Sequence, residues 1–141
     1  MAGVTRERFS GRKGECAGIA DARAIDEGFR SRQEVCDAQL ERFLAALRPL
    51  LASNRAPAAW IIGSRARGTA VPESDIDVMI VGPAELPFVD RFRAYMPALL
   101  ATSVAEDMLV YTPAEFELMR AAERPFVVEA LRGALPIHAG R

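Results

Sequence analysis

The sequence predicts an α+β domain: a small mixed β-sheet with helices packed on one face. Three observations predict it. Half of the 141 residues are hydrophobic, enough to bury a core at this length. Three short runs, residues 58–62, 76–81 and 104–111, are apolar or β-branched and too short for helices. Between and around them, apolar residues recur at spacings of three and four, as on one face of a helix.

Residues 1–20 hold four glycines and mixed charges and read as a flexible N-terminal arm, leaving 21–141 as the folded domain. From Asp21 to about Asn54 the pattern is helical, with Cys36, Leu40, Phe43, Leu44, Leu47 and Leu51 on one stripe. Pro49 should kink or shorten its last turns. Residues 53–57 read as a turn into a first strand, Ala58–Ile62. Gly63 to Gly68 suits a tight turn into a brief helix. Val71–Ser74, with Pro72, is a loop before a second strand, Ile76–Val81, which Gly82-Pro83 ends. Residues 85–101 carry a helical stripe interrupted by Pro97. Val104–Tyr111 reads as a third strand. Thr112, Pro113 and Glu115 then form an N-cap, N1 and N3 set that starts a helix running to about Glu123. A last helix, near Phe126–Arg132, should stop at Gly133.

Composition narrows the chemistry. The formal net charge is −1, so no bulk field points to nucleic acid or an anionic membrane. Lys13 is the only lysine and His138 the only histidine, which argues against Schiff-base chemistry and against a Ser–His or Cys–His nucleophile. Cys16 and Cys36 form neither a CxxC nor a zinc pattern and read as reduced thiols. No apolar run approaches the roughly 20 residues that span a bilayer. With no signal-peptide core at the start, the expected location is cytoplasmic.

The stretch GSRARGTAVPESDID, residues 63–77, carries the chemistry. Strand side chains alternate, so Asp75 and Asp77 project from one face while Ile76, Val78 and Ile80 pack from the other. Two carboxylates so placed repel unless a cation sits between them, and a hard ion such as Mg²⁺ takes oxygen ligands and shares its site with phosphates. Gly63 permits close backbone approach to a ligand, and Ser64 offers a hydroxyl and an N–H. The turn after them enters a helix whose first N–H groups suit an anion. Arg65 and Arg67 supply guanidinium groups that match phosphate. Adjacent strands would bring this cradle and the carboxylates together.

Gly63-Ser64, ten residues, then Asp75-Ile76-Asp77 resembles the G-S-x10-D-x-D pattern of the polymerase-β-like nucleotidyltransferase superfamily, and within it the minimal nucleotidyltransferase (MNT) type. The likeness is densest over Trp60–Val81 and extends more loosely to about Gly133. It implies the nucleotidyltransferase fold and a third carboxylate from a later strand. The stretch SVAEDMLVYTP offers Glu106 and Asp107, which point to opposite faces. Periodicity does not choose between them; the resemblance points to Asp107.

The resemblance further implies that Asp75, Asp77 and Asp107 hold two Mg²⁺ ions and carry catalysis. Gly63, Ser64, Arg65 and Arg67 would hold the phosphates of a nucleoside triphosphate, with ATP as substrate. MNT proteins are often paired with a helical HEPN partner in toxin–antitoxin systems and transfer AMP to a partner tyrosine. A Mg-dependent adenylyltransferase of that antitoxin type, acting on a HEPN-type partner, is therefore the first expectation. The alternatives are a catalytically silent binding module of the same antitoxin kind and a small-molecule (antibiotic) nucleotidyltransferase. Members often self-associate, so a homodimer is also expected.

Overall fold

The structure is a computed structural model that describes residues 15–138. The arm expected over residues 1–20 lies outside the described residues as far as residue 14, and helix α1 begins at Glu15. The chain divides into two compact units, Met1–Val35 and Cys36–Arg141. In the first, the described residues form the opening turns of α1 (Glu15–Ser53). The second carries the rest of α1 and the sheet. Pro49 lies inside α1, and the helix continues past it for another turn to Ser53, so the proline does not end the helix.

In the second unit β1 (Ala58–Ile62) is followed by a four-residue helix α2 (Ser64–Arg67) and β2 (Ile76–Val81). Next come a 3₁₀ segment (Phe88–Tyr95), α3 (Met96–Leu99) and β3 (Glu106–Tyr111). The chain then adds α4 (Pro113–Ala121), α5 (Pro125–Leu131) and β4 (Leu135–Pro136). The described strands form one four-stranded mixed sheet in the order β3-β2-β1-β4. β1 runs antiparallel to β2 and β4, and β2 runs parallel to β3.

The predicted stripe of α1 is the core. Phe43, Leu44, Leu47 and Leu51 are buried against Ala59 and Ile61 of β1, Ile76, Val78 and Ile80 of β2, and Val110 of β3. Tyr95 and Ala98 close the same cluster from the 3₁₀ segment and α3. Alternation leaves Trp60, Asp77, Asp107, Leu109 and Tyr111 on the opposite face. There Phe116 of α4 stacks on Trp60, with ring centroids 5.5 Å apart.

Two elements differ from the sequence reading. Residues 85–101 form no continuous helix. Pro87 precedes the 3₁₀ segment and Pro97 is the second residue of α3, so eight of the nine residues between the prolines, Phe88–Tyr95, wind as 3₁₀. The stripe breaks accordingly: Tyr95 is buried, while Leu100 is 77% exposed. A fourth strand is also present. β4 pairs with β1 through Trp60↔Pro136 and Ile61↔Leu135, and the Ile137 N–H donates to the Ala59 carbonyl at 2.8 Å. Two residues are too few to show alternation, and a proline fits only because this strand lies at the sheet edge.

The start of α4 follows the sequence. The Thr112 hydroxyl accepts the Glu115 N–H, and the Glu115 carboxylate accepts the Thr112 N–H at 2.8 Å. Arg91 grips the same carboxylate at 2.6 Å and also donates to the Val110 carbonyl at 3.1 Å. The pairing holds the Glu115 carboxyl down to about 2, the Arg91 hydrogen bond contributing most. Among the described residues no helix is long and apolar enough to cross a membrane.

Candidate active site

The site is built where β1, β2 and β3 lie side by side. β1 ends at Ile62, and Gly63 then turns with φ 72° and ψ −151°, a conformation essentially restricted to glycine. The Gly63 carbonyl accepts the N–H groups of Ala66 and Arg67, each at 3.1 Å, and so winds the single turn of α2. Gly68 closes that turn in the left-handed region, its N–H donating to the Ser64 carbonyl.

Strand register sets the carboxylates. Ile62 pairs with Asp77, so the turn at Gly63 lies directly against the Asp77 side chain. A Cβ added at Gly63 would fall on Asp77 Oδ2 and 3.4 Å from its Cγ. On the other side of β2, Asp77 is the register partner of Asp107, whereas Glu106 partners the buried Ile76. Parallel pairing of like-facing residues therefore brings Asp107 to the Asp77 side and turns Glu106 to the core side, where its Oε1 is buried with no hydrogen-bond partner among the described residues. Burial pushes the Glu106 carboxyl up. Asp75 stands exposed, one residue before β2.

Asp77 and Asp107 line a cleft of about 270 Å³ together with Gly63 and Arg67. Ile62, Leu109, Phe126 and Ala130 supply its apolar walls, and Glu129 its rim. The Asp77 carboxyl is pushed above its ordinary value, chiefly by burial and then by the charges of Asp107 and Asp75; Arg67 pulls it the other way. This is the electrostatic state that a bound cation relieves. Among the described residues no three His, Cys, Asp or Glu side chains gather as a closed metal-binding group. The donor set is instead an open carboxylate pair. It fits a hard divalent ion that draws its remaining ligands from water and phosphate.

The other expected residues divide. Arg67 reaches the cleft. Arg65 does not: it is 6% exposed and its guanidinium is turned inward. Nη1 donates to Gln39 Oε1 at 2.9 Å and to the Cys36 carbonyl at 3.4 Å, and Nη2 donates to the Ser74 carbonyl at 2.6 Å. The expectation that Arg65 holds phosphate is corrected on that geometry. Two helical steps rotate a side chain by about 200°, so Arg65 and Arg67 cannot share a face. Ser64 is not among the residues that line the cleft; its carbonyl accepts the Gly68 and Thr69 N–H groups.

The sequence marks Phe126, Glu129 and Ala130 only as part of the last helix, whereas in the structure they line the cleft. Their one signal is weak: Phe126 is a large apolar residue that its helix leaves 51% exposed.

The profile of the nucleotidyltransferase domain family matches residues 44–137, about two thirds of the chain. No curated protein sequence matches it. Among solved structures, a candidate nucleotidyltransferase from Sulfolobus solfataricus is 24% identical, over 60% of this chain and 77% of its own, with a TM-score of 0.48. A chain from the crystal structure of a toxin–antitoxin with AMP-PNP is 17% identical, over 70% of this chain and 74% of its own, with a TM-score of 0.51. The latter likeness is one of fold. The matched region contains β1, β2 and β3 and every residue that lines the cleft.

Proposed function

This chain belongs to the nucleotidyltransferase domain family, and on that premise we propose that it is a Mg²⁺-dependent adenylyltransferase that moves AMP from ATP to a protein hydroxyl, a tyrosine of a HEPN-type partner in a toxin–antitoxin pair. The observation that carries the proposal is the register of Asp77 and Asp107 on adjacent parallel strands, facing Gly63 and Arg67 across one cleft.

Asp75, Asp77 and Asp107 are the residues we assign to metal. Two Mg²⁺ ions held there would supply charge compensation for an in-line displacement. The chain's own residues do the rest. Gly63, lacking a Cβ, lets the Asp77 carboxylate lie against the end of β1, where we place the triphosphate with the Ser64 N–H beside it. Arg67 offsets phosphate charge from the cleft wall. Asp107 takes the proton of the acceptor hydroxyl as that oxygen bonds to the α-phosphorus. The bond to the bridging oxygen breaks and pyrophosphate leaves with the electron pair. No protein nucleophile enters, so catalysis rests on positioning and electrostatics. A chain whose one histidine, His138, is exposed beyond β4 is compatible with that chemistry.

The cleft favours a nucleotide over a simple anion because its lining is divided. Asp77, Asp107 and Arg67 gather charge beside Gly63, while Phe126, Leu109 and Ile62 offer an apolar surface for the nucleoside. The antitoxin assignment draws support from the fold shared with the toxin–antitoxin chain. The test is to incubate the purified protein with Mg²⁺, ATP labelled at the α-phosphate and the product of the neighbouring gene. Label should appear on a partner tyrosine. Absence of both nucleotide binding and labelling would overturn the assignment.

A further inference from the structure

Arg65 is placed by the GSRARG motif beside the expected phosphate cradle, yet its guanidinium lies in the interior. It bridges α1 to the loop that precedes β2. On the helix side it meets the Cys36 carbonyl and Gln39 Oε1; on the loop side it meets the Ser74 carbonyl, one residue before Asp75. The same pair of helix residues holds the loop at two further points. Gln39 Nε2 donates to the Pro72 carbonyl at 3.1 Å, and the Cys36 thiol donates to the Ala70 carbonyl at 3.7 Å. Within the loop the Val71 N–H donates to Ser74 Oγ and the Ser74 N–H to the Val71 carbonyl, each at 2.9 Å. Three loop carbonyls, of Ala70, Pro72 and Ser74, and the helix carbonyl of Cys36 are thus held by Arg65, Gln39 and the Cys36 thiol.

From this network we infer that Arg65 is a positioning residue: with Gln39 it clamps the Ala70–Ser74 loop onto α1, and so fixes where Asp75 and Asp77 present their carboxylates. Resting on the proposed function, this makes Arg65 a determinant of metal–nucleotide affinity that never touches the nucleotide. The physical basis is that a loop anchored at Ser74 delivers the next residues in one direction. A carboxylate pair that repels itself needs such restraint to stay convergent. A planar guanidinium can serve several acceptors at fixed angles, which a lysine ammonium on a flexible stem does not reproduce.

The experiment compares Arg65→Lys, Gln39→Leu and the double variant with the wild type. Amide hydrogen exchange of residues 70–77 is measured without ligand, and ATP binding with Mg²⁺ by calorimetry. Gln39 is not among the residues that line the cleft, so it separates the clamp from a phosphate contact. Clamping predicts faster exchange across residues 70–77 in both single variants, and Mg·ATP affinity weakened by about tenfold in each. The double variant should be no worse than the poorer single variant, because both break one network. The inference is overturned if Gln39→Leu leaves exchange and affinity at the wild-type level. It is equally overturned if Arg65→Lys weakens ATP binding with unchanged exchange, since that marks a direct phosphate contact. Should Arg65→Lys fail to fold, Gln39→Leu decides alone. A wild type that binds no ATP would refute the proposed function, while the exchange arm would still judge the clamp.

Discussion

Asp77 and Asp107 are register partners on parallel neighbouring strands, and their carboxylates face one cleft. Burial and mutual repulsion push the Asp77 carboxyl up. A folded-state value above the unfolded one means that the native protein holds this proton more tightly. Its stability contribution is complete below the unfolded value and is lost as pH rises through the folded one. At neutral pH the ionised Asp77 therefore costs stability in the ligand-free protein. Asp77→Asn should raise Tm at pH 7 by about 1–3 °C, an advantage that closes as the pH falls towards 4. Thermal melts at the two pH values check this. Added Mg²⁺ should raise the wild-type Tm and leave the variant unmoved.

Gly63 and Gly68 offer a matched pair of tests. Both have positive φ, but a Cβ at Gly68 meets nothing within 4 Å, whereas one at Gly63 collides with Asp77. Gly68→Ala should cost about 1 kcal/mol of unfolding free energy, the penalty of the left-handed backbone alone. Gly63→Ala should cost more, roughly 2–4 kcal/mol, by adding the collision to the strain, and it should also abolish nucleotide binding. Urea denaturation of the two variants separates conformation from contact.

Glu115 joins the cap of α4 to Arg91, and its carboxyl is held down to about 2. A lowered folded-state value contributes stability above the unfolded one, which is lost as pH falls through the window from about 4.5 to about 2. The carboxylate is 43% exposed, so solvent screening limits the ion pair to about 1 kcal/mol or less. Glu115→Gln should flatten the acid side of the stability profile, read from urea midpoints at pH 6 and pH 3. Thr112→Ala should cost about 1 kcal/mol at both, because it removes a cap and no charge.

Phe126 is half exposed and walls the cleft. Its removal should barely change stability. If the nucleoside lies against the ring, Phe126→Ala should weaken Mg·ATP binding about fivefold or more, in the range of a lost base–aromatic contact. A calorimetric titration beside a thermal melt checks both halves of the expectation.

The sequence carried the site better than its surroundings. Alternation in Ile76–Val81 was enough to separate the Asp77 face from the core face, because a strand's period is fixed by backbone geometry. The α1 stripe was legible for the same reason at the helical period. Glu106 and Asp107 could not be separated by pattern: each had an apolar set behind it, and the register with β2 distinguishes their faces. Arg65 read as a phosphate ligand because composition marks a guanidinium and not its direction, which a four-residue helix turns inward. β4 and the α5 wall were hidden for a different reason. Both depend on pairing between distant segments, and two or three residues leave no periodic trace. The prolines at 87 and 97 were visible, but their joint effect, a 3₁₀ segment in place of an α-helix, depends on how few residues separate them.

The central claim is that the Asp77–Asp107 pair and Gly63 form a metal-dependent nucleotide site. Calorimetric titration of ATP into the wild type and into Asp77→Asn, each with and without Mg²⁺, tests it most directly. The account predicts binding by the wild type only when Mg²⁺ is present, and none by the variant in either condition. Equal binding by both proteins, or wild-type binding indifferent to Mg²⁺, would contradict it.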